Sequence, residues 1–264
     1  MTPDEKYESL LSLLKGYGRV AVAFSGGVDS SLLLYAAKDA LGDDAIAITA
    51  HIHSMPEWEL YDAKTFCNEY GVRHIILEIN ELEIEGFSAN PPKRCYLCKS
   101  GILEKIIEAA GKYGMETVAE GSNLDDDHDY RPGFKAVKEQ GVKSPLREAG
   151  FTKAEIRQIS KSLGISVWNK QPCACLSSRI AYGDTITDMK LRRIEKAERF
   201  ILDMGFSLVR VRVSGDEGLT ACIEFLNSEL LRAKSEAVRQ SITNGLQEFG
   251  FTDITIDPVG YKTK

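Results

Sequence analysis

Between Val20 and Leu34 the chain reads VAVAFSGGVDSSLLL: an apolar run, a break at Ser25-Gly26-Gly27-Val28-Asp29-Ser30, and a second apolar run. An apolar stretch without alternation is the pattern of a strand covered on both faces, as in a parallel sheet. The glycine pair removes the Cβ atoms that would hold a ligand away from the backbone. The helix begun by the second run offers free amides at its positive end, which makes the junction an anion site by geometry. Ser25 and Ser30 add hydroxyl donors at the same place. A buried strand, a turn shaped for phosphate and a helix are thus written into one short stretch.

The neighbouring sequence follows the same grammar. It predicts an opening helix over YESLLSLLKGYG, a second strand DAIAITAHI, a helix MPEWELYDAKTFCNEYG and a third strand VRHIILEI. A helix from Cys95 through CKSGILEKIIEAAGKYG, a fourth strand METVAEGSN, a helix FTKAEIRQISKSLG and a short strand ISVW come next. Alternating strands and helices with continuous apolar strands predict an α/β fold, a doubly wound parallel sheet whose strand-to-helix loops line one ligand-binding edge. After NKQPCACLSSRIAYGDTIT the pattern changes. The helix DMKLRRIEKAERFILDMG, the alternating strands LVRVRVS and LTACIEF around GDEG, the helical NSELLRAKSEAVRQSITNGLQEFG and a last strand DITIDPVG predict a small α+β domain. The expected division is a first domain over 1–180 and a second over 185–264.

Composition narrows the classes. Of 264 residues 43% are apolar, enough for real cores, and no low-complexity tract points to global disorder. A net charge of −6 counts against nonspecific nucleic-acid binding as the main task. The start, MTPDEKYESLL, is acidic and lacks an apolar signal core, and no run approaches the length of a membrane span. The expectation is a soluble cytoplasmic protein with no membrane partner.

Two nucleotide motifs fail at the glycine stretch. A Walker loop needs a lysine after its last glycine, and a dinucleotide fingerprint needs three spaced glycines. The stretch does match S-G-G-x-D-S and so resembles the pyrophosphate (PP) loop of the ATP-pyrophosphatase superfamily, which includes NAD and GMP synthetases, argininosuccinate synthetase and RNA thiolases. Members adenylate a substrate oxygen, release pyrophosphate, and let a nitrogen or sulfur nucleophile displace AMP. The resemblance implies ATP and Mg2+ as cofactors, with Ser25, Gly26, Gly27, Asp29 and Ser30 at the phosphates and the metal. A lone carboxylate beside phosphates would repel them, so Asp29 suits a metal or water ligand. TAHIHS, after the second strand, is expected to line the adenine pocket by the same resemblance.

Asp129-Tyr130-Arg131-Pro132-Gly133 lies within EGSNLDDDHDYRPG, after the fourth strand. It closely resembles the D-Y-R-P-G signature of LarE-type sulfur transferases. These adenylate the carboxylates of a pyridinium dicarboxylate mononucleotide and convert them to thiocarboxylates, on the way to the nickel-pincer nucleotide cofactor of lactate racemase. The segment from SPLREAG to CLSSRI has that family's layout, and the resemblance spans nearly the whole chain. In LVRVRV, Arg210 and Arg212 fall on one face of a strand, and paired guanidiniums suit a nucleotide phosphate. The resemblance implies that Asp129, Arg131, Ser178, Arg179, Arg210 and Arg212 bind the nucleotides, and Glu198 matches an acidic position of the family. It also implies a small-molecule nucleotide as partner and a homo-oligomer, with the second domain serving substrate binding and oligomerisation.

Six cysteines remain to be placed. Cys67 and Cys222 sit at apolar-periodic positions and read as small buried hydrophobes. Cys95 and Cys98 form a C-x-x-C flanked by Arg94 and Lys99, and Cys173-Ala174-Cys175 lies downstream. From the residues alone, four-thiolate zinc, a redox dithiol, structural thiols and a three-cysteine iron–sulfur cluster all stay open. RCYLCK together with ACLSSR resembles the branch of the LarE-type family associated with a 4Fe–4S cluster. That resemblance implies Cys95, Cys98 and Cys175 as metal ligands and catalytic residues, one iron remaining open to a hydrosulfide. Cys173 stands as a spare thiol, a persulfide relay or the third ligand in place of Cys175. The sulfide donor is not marked by any motif. Rival readings are a tRNA-thiolating PP-loop enzyme, which would need a basic face, an amide-forming synthetase, and a zinc-stabilised ATP-binding module.

Overall fold

The computed structural model describes residues 1–128, 132–215 and 217–261. The chain forms two compact units: Met1–Ile84 with Lys93–Cys173, and Glu85–Pro92 with Ala174–Lys264. Among the described residues, no helix is long and apolar enough to cross a membrane.

The first unit runs α1 (Pro3–Tyr17), β1 (Val20–Ala23), α2 (Val28–Leu41), β2 (Ala45–His51), α3 (Glu57–Glu69), β3 (Arg73–Glu78), α4 (Arg94–Lys112), β4 (Thr117–Ala119), α5 (Pro132–Glu139), α6 (Pro145–Glu148) and α7 (Lys153–Ser162). Its sheet has the order β3-β2-β1-β4 with every pairing parallel, and Val22 stands between Ala47 and Ala119. Successive side chains of β1 leave the sheet on opposite faces. Val20 and Val22 join a core with Leu10 and Leu14 of α1, Leu32 and Leu33 of α2, and Ile156 and Ile159 of α7. Ala21 instead packs with Ile46, Ile48, and Ile106, Ala109 and Ala110 of α4. Both faces are therefore covered, which is why the strands carry no polar alternation. Thr2 with Glu5, and Thr152 with Glu155, form reciprocal capping boxes that fix where α1 and α7 begin.

The second unit contains α8 (Asp188–Asp203), β5 (Val209–Ser214), β6 (Thr220–Phe225), α9 (Leu230–Ala233), α10 (Glu236–Glu248) and β7 (Asp253–Ile256). β5 pairs antiparallel with β6, and β7 adds parallel to the other edge of β6. Val209, Val211, Val213, Ala221, Ile223 and Phe225 are buried, as are Leu191, Ile194, Ala197 and Ile201 of α8. The intervening residues Arg210, Arg212, Cys222 and Glu224 share the opposite, half-buried face of the strands. The segment Glu85–Pro92 is stitched into this unit. Buried Asn90, with φ +52°, donates its amide to the carbonyls of Ile180 (3.3 Å) and Ala181 (2.6 Å), and its own carbonyl accepts from Gly183 (3.1 Å).

Several sequence expectations are corrected. ISVW is not a strand: its backbone closes into turns, Trp168 N–H to Ile165 O and Lys170 N–H to Val167 O, and Ile165 is buried in the α1–α2 core. Its apolar residues fill a core without pairing to the sheet. The fourth strand is only Thr117–Ala119, and α5 and α6 follow where no helix is expected. The last helical run breaks at Lys234-Ser235, because Ser235 adopts an extended conformation and begins α10 anew.

Candidate active site

The loop after β1 leaves the sheet at Phe24, whose amide donates to Ile48 O (2.9 Å). Gly26 takes φ +71°, a conformation that calls for glycine, and packs its α-carbon against the Ala63 backbone, where a Cβ would lie 3.4 Å away in ordinary contact. Gly27 caps α2 without a side-chain acceptor, which leaves the helix end available to an anion. The hydroxyls of Ser25 and Ser30 lie 3.1 Å apart, and Ser30 donates to Gly27 O. Lys170 braces the loop from outside: its ammonium donates to Gly26 O (3.3 Å) and pairs with Glu59 (2.9 Å) and Asp62 (2.7 Å).

Ser25, Gly27, Asp29 and Ser30 form one wall of a cavity of about 460 Å³. Cys95 and Lys99, one helical turn apart on α4, form another, and Glu120, Gly121 and Asp126 close a third. Glu120 is buried and fully engaged. It accepts from Ser144 Oγ (2.7 Å), from Ser122 Oγ (2.9 Å) and N (3.1 Å), and faces the Lys99 ammonium at 3.5 Å.

Asp29 differs. Its Oδ2 holds the ammonium of Lys153 at 2.5 Å, while Oδ1 is shut off from solvent with no hydrogen-bond partner among the described residues. Burial pushes its carboxyl above the usual range, with Lys153 opposing. A buried carboxylate oxygen without a donor, inside a cavity lined by a phosphate-type loop, fits a hard divalent cation such as Mg2+.

Cys95 and Cys98, three residues apart at the start of α4, lie on one helix face. Neither they nor the other four cysteines are in a disulfide. Two thiols in reach of one another suit a thiophilic metal or an iron–sulfur centre in donor chemistry. Among the described residues, no group of three or more His, Cys, Asp or Glu side chains stands assembled for a metal. Cys173 and Cys175 are exposed, Cys173 closing the first unit and Cys175 belonging to the second. Cys67 is buried, and desolvation pushes its thiol up to about 12. Cys222 is not buried as expected: it is half-buried on the polar face of β6, opposite Arg212.

Within the second unit Arg179 is buried, and its guanidinium grips Glu198 with two bonds of 2.8 and 3.0 Å. It also donates to Ala174 O and Ser178 Oγ, while Glu198 accepts from Val211 N. Arg212 is bidentate to Glu224 (2.8 and 3.2 Å) and donates to Ser178 O (2.7 Å). Arg210 forms no ion pair or hydrogen bond among the described residues; its guanidinium stacks 4.0 Å above the Tyr261 ring. Burial, with the like charges of Arg179 and Arg212, holds its pKa below the usual arginine range. Glu224 stands across the strands from Arg210 but spends its oxygens on Arg212, so the Arg210 guanidinium is left to take a further anion. Asp129 and Arg131 lie outside the described residues.

The histidines of TAHIHS face carboxylates: His51 lies between Glu78 (2.7 Å) and Glu57 (3.0 Å), and His53 meets Glu81. Sequence reasoning missed Lys99, Glu120, Lys153 and Lys170. Only Lys99, as a cationic flank of the C-x-x-C, left a signal.

A parallel sheet with a Ser-Gly-Gly-x-Asp-Ser loop at the end of an inner strand, opening on such a cavity, defines a PP-loop enzyme, a class that uses ATP. Residues 7–89 match the family model described as asparagine synthase. The chain is 38% identical to an uncharacterized protein of Synechocystis sp. over 98% of its own length and 96% of the relative. It is 33% identical to the pyridinium-3,5-bisthiocarboxylic acid mononucleotide synthase of Lactiplantibacillus plantarum, over 98% of this chain and 92% of that one. An argininosuccinate synthase of Pyrococcus furiosus is 27% identical over 58% of this chain and 40% of the relative. The chain belongs to the pyridinium-3,5-bisthiocarboxylic acid mononucleotide synthase family, the LarE-type sulfur transferases.

Proposed function

We propose that the protein adenylates a carboxylate of a pyridinium mononucleotide and converts it to a thiocarboxylate in nickel-pincer nucleotide cofactor synthesis. The observation that carries this reading is Cys95 in the wall of the cavity that the 25–30 loop also lines. A nucleotide-activating loop and a thiol share one chamber.

In this reading ATP places its phosphates on Ser25, Gly26, Gly27 and Ser30, and Asp29 holds their Mg2+. Arg210 takes the substrate phosphate beside Arg212. Arg179 and Ser178 shape that seat from behind, since their groups are spent on Glu198, Arg212 and the Cys175 turn. Asp129 and Arg131 join the nucleotide contacts. The substrate carboxylate attacks the α-phosphorus and the bond to the bridging oxygen breaks. Pyrophosphate leaves with its charge met by the loop amides and nearby cations. Displacement of AMP from the acyl carbon by a sulfur nucleophile then leaves the thiocarboxylate.

Cys95, Cys98 and Cys175 would hold a 4Fe–4S cluster, Cys173 being the alternative third ligand. When bound, such a cluster supplies an open iron position for inorganic sulfide, so that the protein's own sulfur is spared. The reading includes a homo-oligomer and a second domain, from about residue 185, that serves the substrate.

The test is anaerobic purification followed by iron, acid-labile sulfide and zinc analysis, then mass spectrometry of the nucleotide product formed with ATP and sulfide. Iron and sulfide in equal amounts, with oxygen-to-sulfur exchange lost when all three cysteines are changed to Ala, support the reading. Stoichiometric zinc, or undiminished exchange in that variant, overturns it.

A further inference from the structure

The ion pair between Lys153 and Asp29 has no part in the chemistry above, yet it occupies the one acid of the loop. Asp29 gives only Oδ2 to the lysine; its Oδ1, inaccessible to solvent, has no hydrogen-bond partner among the described residues. Half of this carboxylate is thus unanswered in a cavity built for a phosphate and its cation.

The lysine itself is in an awkward place. Lys153 is the first residue of α7, at the positive end of the helix, where a cation is disfavoured. Its backbone N–H is already taken by Asp125 Oδ2 at 2.7 Å, so the helix end is held independently of the ammonium. What keeps the ammonium there is Asp29, with Asp126 adding negative charge nearby. The side chain is still about a third exposed, and a lysine stem has the rotatable bonds to swing away.

We propose that Lys153 is an exchangeable counter-ion. It occupies Asp29 while the cavity lacks nucleotide and keeps a divalent cation off. It crosses to a phosphate oxygen when metal and nucleotide enter together. The proposal rests on the reading that the cavity takes ATP with a divalent metal at Asp29. Metal arriving alone must displace an ammonium that has nowhere better to go. Metal arriving with phosphates gives that ammonium a new anion. Binding of the two is therefore coupled, and Lys153 is the positioning residue that couples them.

The experiment measures Mn2+ binding to the full chain by electron paramagnetic resonance, with and without the non-cleavable α,β-methylene analogue of ATP. The parent, Lys153→Met and Lys153→Arg proteins are compared. Without nucleotide, Lys153→Met is expected to bind Mn2+ about tenfold more tightly than the parent, the scale of one unit charge removed beside a partly buried carboxylate. Lys153→Arg, which keeps the charge, stays with the parent. Adding the analogue tightens Mn2+ binding in the parent and much less in Lys153→Met. Equal Mn2+ affinities for all three proteins without nucleotide overturn the exchange and leave the ATP reading intact. Failure of the parent to bind the analogue at all overturns both.

Discussion

Gly121 lies so close to Ser30 that a Cβ on it would stand 2.9 Å from the Ser30 amide nitrogen and 3.1 Å from its Cα. The turn after β4 is thus pressed onto the first turn of α2, and neither side of the contact is a flexible side chain. Gly121→Ala must move backbone. We expect a loss of about 1–3 kcal/mol, shared between folding stability and nucleotide affinity. Calorimetric titration with the methylene analogue, beside thermal unfolding, checks this; a variant with both unchanged would show that the contact carries no constraint.

Lys170 uses its ammonium on Gly26 O, Glu59 and Asp62 at once. Lys170→Met leaves two carboxylates facing each other beside the loop and should cost about 1–3 kcal/mol. Changing Glu59 and Asp62 to Gln and Asn in the same protein should recover part of that loss, because the stranded charge is gone. Denaturant midpoints of the parent, the single variant and the triple variant give the answer.

The Arg179–Glu198 pair is buried on both sides, at 4% and 3% side-chain exposure. Removing one partner leaves an uncompensated charge in a dry core, at a cost of about 3–5 kcal/mol. Arg179→Met should therefore destabilise the protein severely, and Arg179→Met with Glu198→Leu should be the more stable of the two. Urea unfolding of both orders them.

Glu155 carries a pH signature. The Lys6 ammonium, then the Thr152 backbone amide, hold its carboxyl down at about 2, against an ordinary 4.5. A depressed acid contributes stability that is present above its unfolded pKa and lost as pH falls toward its folded one. Glu155→Gln should therefore be less stable than the parent at pH 7, by about 1 kcal/mol for a partly exposed pair with a cap. That gap should close between about pH 4.5 and pH 2. Urea midpoints at pH 7, 5 and 3 follow it; a constant gap would refute the assignment.

Legibility in the sequence followed how local each cause was. The 25–30 loop announced itself because strand, glycine pair and helix are contiguous, and the parallel sheet followed from apolar runs that lack alternation. The Ser-Gly-Gly-x-Asp-Ser pattern and the full-length resemblance pointed to the family that the comparison with the Lactiplantibacillus enzyme shows. Causes distant in the chain stayed silent. Nothing near Ile165 says that ISVW fills a core formed by α1 and α2 instead of joining a sheet. The partner of Asp29 lies 124 positions away, and the serine that fixes Glu120 lies 24 away. Alternation in LVRVRV correctly put Arg210 and Arg212 on one face, but only coordinates reveal that Glu224 takes the second while the first stacks on Tyr261. Cys222 shows the same limit, since an alternating strand has two faces and its apolar neighbours do not say which one a small residue takes.

Asn90 ties a stretch of eight residues, Glu85–Pro92, to a unit whose other residues begin at Ala174. A C-terminal fragment starting there would lack the donor that satisfies the carbonyls of Ile180 and Ala181, and the acceptor for the Gly183 amide. Proteolytic excision or gene truncation should accordingly yield an incomplete tail. Folding of that tail is completed by a strip of chain synthesised long before it.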